Sequence, residues 1–157
     1  MWRLRCARTP YADNKLDTRY SCAAKSDVNG ELRVILDARA QNRGLELMQY
    51  PSRAVVKHEI HEIILTAEPT AAPGEVVNHP AYLGYFEVLT NGVLWVGDKV
   101  MINGKLIGTL AGYDMTHFPN HLNIVINIEG ELYTGLEAGF KGDKPLQFVF
   151  PGRLERP

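Results

Sequence analysis

No stretch of this chain approaches the roughly 20 consecutive apolar residues that a membrane-spanning helix needs, so no membrane partner is expected. Net charge is also in short supply: 17 Lys and Arg against 18 Asp and Glu leave −1 at pH 7. Nucleic acids and anionic lipid surfaces demand a basic excess, and none is present. Cysteine is nearly absent, with only Cys6 and Cys22. Two reduced thiols in a cytoplasmic protein are the expected reading, because cytosolic disulfides are rare. The opening residues MWRLRCARTPYADNK hold arginines but no continuous apolar core, so they do not read as a secretory signal. There is no P-loop, no G-x-G-x-x-G and no G-x-S-x-G. Nucleotide-phosphate chemistry and a serine nucleophile elbow therefore have no support, and no cofactor is expected.

What is present is a chain of 157 residues, 45% hydrophobic and 22% charged, enough for one domain with its own core. Residues 1–17 have mixed charge and no periodicity and read as an N-terminal arm. Residues 18–157 read as a single β-barrel domain. In order, the expected pieces are a strand Thr18–Ala24, a tight turn at Asp27-Val28-Asn29-Gly30 and a strand Leu32–Ala38. The run LRVILDARAQNR also fits a short helix. Gly44–Tyr50 reads as a strand halted by Pro51. Ala54–Thr66 (AVVKHEIHEIILT) fits a long strand, with a helix as the competing reading. Glu68–Pro80, with three prolines and no periodicity, reads as a lid or binding loop.

The second half is more regular. Ala81–Leu89, Val93–Val96, Lys99–Ile102, Lys105–Gly112, Leu122–Ile128, Leu132–Leu136 and Leu146–Phe150 are short apolar runs separated by Asn91-Gly92, Gly97-Asp98, Asn103-Gly104 and Glu129-Gly130. In Ala81–Leu89, alternation puts Tyr82, Gly84, Phe86 and Val88 on one face. In Leu122–Ile128, it puts Leu122, Ile124, Ile126 and Ile128 on one face and His121, Asn123, Val125 and Asn127 on the other. The fold class is all-β, a small antiparallel β-barrel, and such barrels often associate through edges and arms, so a homo-oligomer is expected.

Two groups of residues carry candidate chemistry. On a continuous strand through KHEIHE, His58 and His61 fall on opposite faces and cannot share a metal, while His58 and Glu62 fall on one face and would line one cavity. Tyr113, Asp114, His117 and His121 stand within nine residues of one another around Phe118-Pro119-Asn120, and His79 closes the other long loop. Imidazoles beside a carboxylate suit proton transfer near neutrality. The same set would also serve Zn or Fe(II). The expected catalytic residues are His117, His121, Asp114 and Tyr113, with Tyr113 donating to a developing oxyanion. Tyr82, Phe86, Trp95 and Phe118 supply aromatic walls for a small organic ligand. His58, Glu62 and His79 complete the expected binding set.

From Leu94 onward, the pattern VGDKVMINGKLIGTLAGY, followed by NHLNIVINIEG, is similar to the barrel of the glucitol-type phosphotransferase-system IIA proteins over residues 94–130. The resemblance implies a barrel. That family carries a phosphoryl group on histidine, but Ala81–Leu89 contains no histidine, so the resemblance is carried over for the fold alone. The rest of the chain resembles an uncharacterised small bacterial β-barrel family.

The leading functional expectation is a small-molecule-binding barrel acting as a cofactor-independent isomerase, cyclase or lyase. A non-catalytic assembly barrel and a divalent-metal-dependent enzyme are the alternatives.

Overall fold

The computed structural model describes residues 25–151. The expected arm at 1–17, the strand at Thr18–Ala24 and both cysteines lie outside the described residues. Eleven strands follow: β1 (Val28–Arg39), β2 (Leu45–Glu46), β3 (Ser52–Val55), β4 (Ile60–Thr66), β5 (Val76–Val77), β6 (Ala81–Val88), β7 (Gly92–Trp95), β8 (Lys99–Ile102), β9 (Lys105–Asp114), β10 (Asn123–Asn127) and β11 (Pro145–Val149). Seven of them close a barrel in the order β1-β11-β8-β9-β10-β4-β6, while β2 pairs with β5 and β3 with β7 outside it. The all-β expectation holds.

Antiparallel pairing does not hold all the way round, because β4 and β10 run parallel. The cause is arithmetic. A closed ring of seven strands cannot alternate direction at every step, so one neighbouring pair must be parallel, and a parallel pair needs a long crossover between its members. Here the crossover is the whole of β5–β9.

Inside the barrel, Leu32, Ile63, Leu65, Phe86, Val88, Ile124, Ile126 and Phe148 form the main core. The outer face of the same wall carries a second cluster of Leu45, Leu47, Ile64, Val77, Ala111 and Val125. β2, β5 and their flanking loops thus cover part of β4, β9 and β10 from outside. A strand covered on both faces reads as a nearly continuous apolar run. That is why IHEIILT lacks clean alternation although every residue after Ile60 is buried.

Four expected elements are corrected. Asn29-Gly30 is not a turn but part of β1. Gly30 is there because a Cβ would sit 2.7 Å from a Phe86 ring carbon. Asn103-Gly104 is a turn, with φ of 51° and 77°, the positive values a tight hairpin requires. LRVILDAR is the expected strand rather than the competing helix, paired along β6 from Gly30↔Val88 to Arg39↔Ala81. The single strand expected at Ala54–Thr66 is broken into β3 and β4 by a turn in which His58 has φ of 79°. His58 and Glu62 therefore do not share a strand face. Of Gly44–Tyr50 only Leu45–Glu46 pairs, and Leu132–Leu136 is irregular chain running into a turn rather than a strand.

A bulge also corrects the face read for β6. Pairing with β4 steps from Ile63↔Gly84 to Ile64↔Tyr82, so one residue of β6 has no partner and alternation inverts. Leu83 and Phe86 enter the main core, while Tyr82 packs on the outer cluster.

Candidate functional site

A row of polar residues crosses four adjacent strands on the outside of the barrel wall. Tyr85 of β6 stands opposite Glu62 of β4, Glu62 opposite Asn123 of β10, and Asn123 opposite Asp114 of β9. Glu62, Asn123 and Asp114 are all buried. The Asn123 amide donates to Asp114 across 2.9 Å, and the Thr116 backbone N–H donates to the same oxygen across 3.1 Å. Asp114 is thereby committed to holding the start of the Met115–Leu122 loop against β10.

That loop brings His117 and His121 over the row. Their rings lie 5.1 Å apart, and the His121 ring meets Tyr85 edge-on at 5.2 Å. Nε2 of His121 stands 3.4 Å from a Glu62 oxygen, close enough for an ion pair but without the alignment of a hydrogen bond. Nδ1 of His121 lies 3.0 Å from the Asn120 amide nitrogen. An amide nitrogen only donates, so Nδ1 accepts and Nε2 carries the proton that faces Glu62. Burial pushes the Glu62 carboxyl above the ordinary carboxylate value, against the pull of His117 and of the Tyr85 hydroxyl. Burial likewise pushes the His121 imidazole below its ordinary value, against the pull of Asn123. Opposite displacement of an acid and a base in contact is an arrangement found where protons are exchanged.

Beside this pair lie two cavities that share Arg53, Phe118 and Leu122 as a common wall. The larger, of about 280 Å³, is mostly apolar and is walled by Met48, Tyr50, Ser52, Ala54, Tyr113 and Met115 besides the shared residues. The smaller, of about 110 Å³, is polar and is bounded by Glu59, His61, Asn120 and His121. His61 is 4% exposed. Its Nε2 is 2.9 Å from Glu59. Burial lowers its pKa, opposed by Glu59 and reinforced by Arg53 and His121. Arg53 leans over the Phe118 ring, 6.0 Å from its centroid. Its Nε is buried with no hydrogen-bond partner, a situation that costs roughly 1–3 kcal/mol in a folded protein.

The structure gathers His121, His117, Asp114 and Glu62 and sets Phe118 and Tyr113 in the adjoining wall. Tyr113 is buried and its hydroxyl lies 3.4 Å from the Pro51 carbonyl oxygen, to which it donates. Burial pushes its pKa up, with Asp98 adding to the effect. His58 lies away on a turn, its side chain 73% exposed and 3.3 Å from Glu87. His79 is exposed at the end of its loop, where its backbone N–H donates to Glu68. Tyr82 belongs to the outer cluster. Phe86 lies in the barrel core against Phe148, their centroids 5.7 Å apart. Trp95 pairs with Ser52 between β7 and β3. Arg53, His61 and Tyr85 were missed as site residues. Tyr85 had a signal in the aromatic cluster of the second half, and that of His61 was hidden by reading one strand through the turn at His58. Among the described residues, no three His, Cys, Asp or Glu side chains are placed to hold a metal ion.

The molecule is thus a closed seven-strand barrel whose outer wall carries a buried carboxylate–imidazole pair beside a two-part cavity. Residues 22–149 match a family of unknown function, DUF6917, and the chain belongs to it. No curated protein and no solved structure matches the chain, so no structural neighbour supports the likeness to the glucitol-type IIA barrel. No helix among the described residues is long and apolar enough to cross a membrane.

Proposed function

We propose that the protein binds a small organic molecule in the two-part cavity and moves a proton on it, as an isomerase, cyclase or lyase without a cofactor. The observation that carries this reading is the buried Glu62–His121 pair, whose imidazole lines the smaller, polar cavity next to the larger, apolar one. In this scheme Nδ1 of His121 is the base, exposed to the ligand when the Asn120 amide swings aside. Glu62 behind Nε2 orients the ring and steadies the imidazolium that forms, and the neighbouring His117 returns the proton. Cavities that combine apolar walls with a few converging polar groups are the usual form of small-ligand sites.

The test is deuterium wash-in, followed by NMR, at the carbon next to the carbonyl of acetophenone, cyclohexanone and phenylpyruvate in D₂O. The expected result is exchange above the buffer rate for at least one compound, reduced about 10²–10⁴-fold in His121→Ala and reduced less in His117→Ala. Exchange at the buffer rate for all three, or an undiminished rate in the double variant, overturns the proposal.

A further inference from the structure

We propose that the ligand of this cavity is a carboxylic acid, its carboxylate held by Arg53 and its apolar body lying against Met48, Tyr113, Met115 and Leu122. This rests on the reading of the cavity as a ligand site, though not on the proton chemistry assigned to His121. Among the described residues, Arg53 is the only arginine or lysine in the walls of either cavity, and it belongs to both. Its Nε is buried without a hydrogen-bond partner, and no ion pair among the described residues includes it. Among the described residues it overlies the Phe118 ring. A guanidinium offers a planar fork of donors that matches a carboxylate in two parallel hydrogen bonds. A side chain so placed, and without an anion among the described residues, is suited to receive one that arrives.

The surroundings select among anions. Glu59 lines the same polar end as Arg53, and Glu62 stands just behind His121. A doubly charged phosphate would meet one fixed cation and two nearby carboxyl groups, whereas a singly charged carboxylate is matched by the guanidinium alone. The larger, apolar space then receives a short aliphatic or aromatic body. Tyr50 and Phe118, 43% and 49% exposed, place aromatic surface at the margins of that space.

The experiment is an NMR titration of the full chain with matched pairs that differ only in charge: hexanoate with hexanamide, and phenylacetate with 2-phenylacetamide. Phenyl phosphate is the dianionic control. The expected result is that each acid binds at least about tenfold more tightly than its amide and that phenyl phosphate binds more weakly than phenylacetate. Arg53→Met, which keeps an apolar stem, should bring each acid down to the affinity of its amide, and Arg53→Lys should retain part of the difference. Amides binding as tightly as acids, acids unaffected by Arg53→Met, or tighter binding of the phosphate would overturn the carboxylate assignment while leaving the cavity a ligand site. If neither acids nor amides perturb the resonances of Tyr113, Met115 and Leu122, the ligand-site reading fails and this inference with it.

Discussion

The backbone N–H of Leu122 donates to Nδ1 of His61 across 3.0 Å. Because that nitrogen accepts, the imidazole is neutral with its proton on Nε2, facing Glu59. Protonation would turn Nδ1 into a donor aimed at another donor, and the anchor joining β4 to the start of β10 would be lost. The charged groups around it are Glu59, which favours the imidazolium, and Arg53 and His121, which oppose it, and burial weighs most. The folded-state pKa lies below the ordinary 6.5. The contribution of His61 to stability is therefore complete above that value and is lost as pH falls through the lower, folded one. Urea unfolding between pH 8 and pH 5 should show a steeper loss in the wild type than in His61→Asn, whose side-chain oxygen can still accept from Leu122. His61→Ala, which strands that N–H, should cost about 1–3 kcal/mol at pH 8. Parallel pH profiles for wild type and His61→Asn would contradict this account.

Glu62 should behave in the opposite sense. Burial raises its folded-state pKa above the ordinary 4.5, so the folded state holds this proton more firmly than the unfolded chain does. Stability from this group is complete below that value and is lost as pH rises through the folded pKa. Glu62→Gln keeps an acceptor for Tyr85 and removes the buried charge. Its melting temperature should equal or exceed that of the wild type at pH 8, with the gain shrinking at pH 4. A site held at a cost to stability is expected where function needs the charge. A Glu62→Gln protein markedly less stable than wild type at pH 8 would show that the carboxylate is structural.

Glu68 closes the Pro-rich loop that the sequence marks as a candidate lid. Its carboxylate accepts from the Thr66 hydroxyl at 3.0 Å and from the backbone N–H groups of Asn78 and His79 at 3.0 and 3.1 Å. Burial opposes ionisation here, but these donors outweigh it and hold Glu68 below the ordinary carboxylate value. The clip is complete above about pH 4.5 and weakens as pH falls through the folded value. Glu68→Ala should cost about 1–3 kcal/mol at pH 7 and should raise amide hydrogen exchange across residues 69–79. Unchanged exchange there would mean that the loop is held elsewhere.

The two Asn-Gly pairs in β1 and after β8 should separate cleanly by mutation. Gly30 is required for space: a Cβ would fall 2.7 Å from the Phe86 ring and 2.8 Å from the Glu87 carbonyl oxygen. Gly30→Ala should cost about 1–3 kcal/mol by overpacking. Gly104 is required for its φ of 77°, with nothing near its absent Cβ, and asparagine tolerates that conformation. Gly104→Asn should cost less than about 1 kcal/mol in chemical denaturation. Equal losses from the two substitutions would count against both explanations.

Period-two alternation and Gly-Asp and Asn-Gly punctuation determined the all-β class and most strands from Ala81 onward, because those signals are local and each repeats within a few residues. They also drew attention to the loop carrying His117 and His121. Only the tertiary structure decided which strands close the ring, where the one parallel pair falls, and that His58 turns away while His61 and Glu62 are buried on opposite faces of one strand. Glu62 meets His121, and Arg53 meets Phe118, across about 60 residues of chain. Such encounters depend on barrel closure and on where β3 and the Met115–Leu122 loop come to lie, and no spacing along a single strand encodes them.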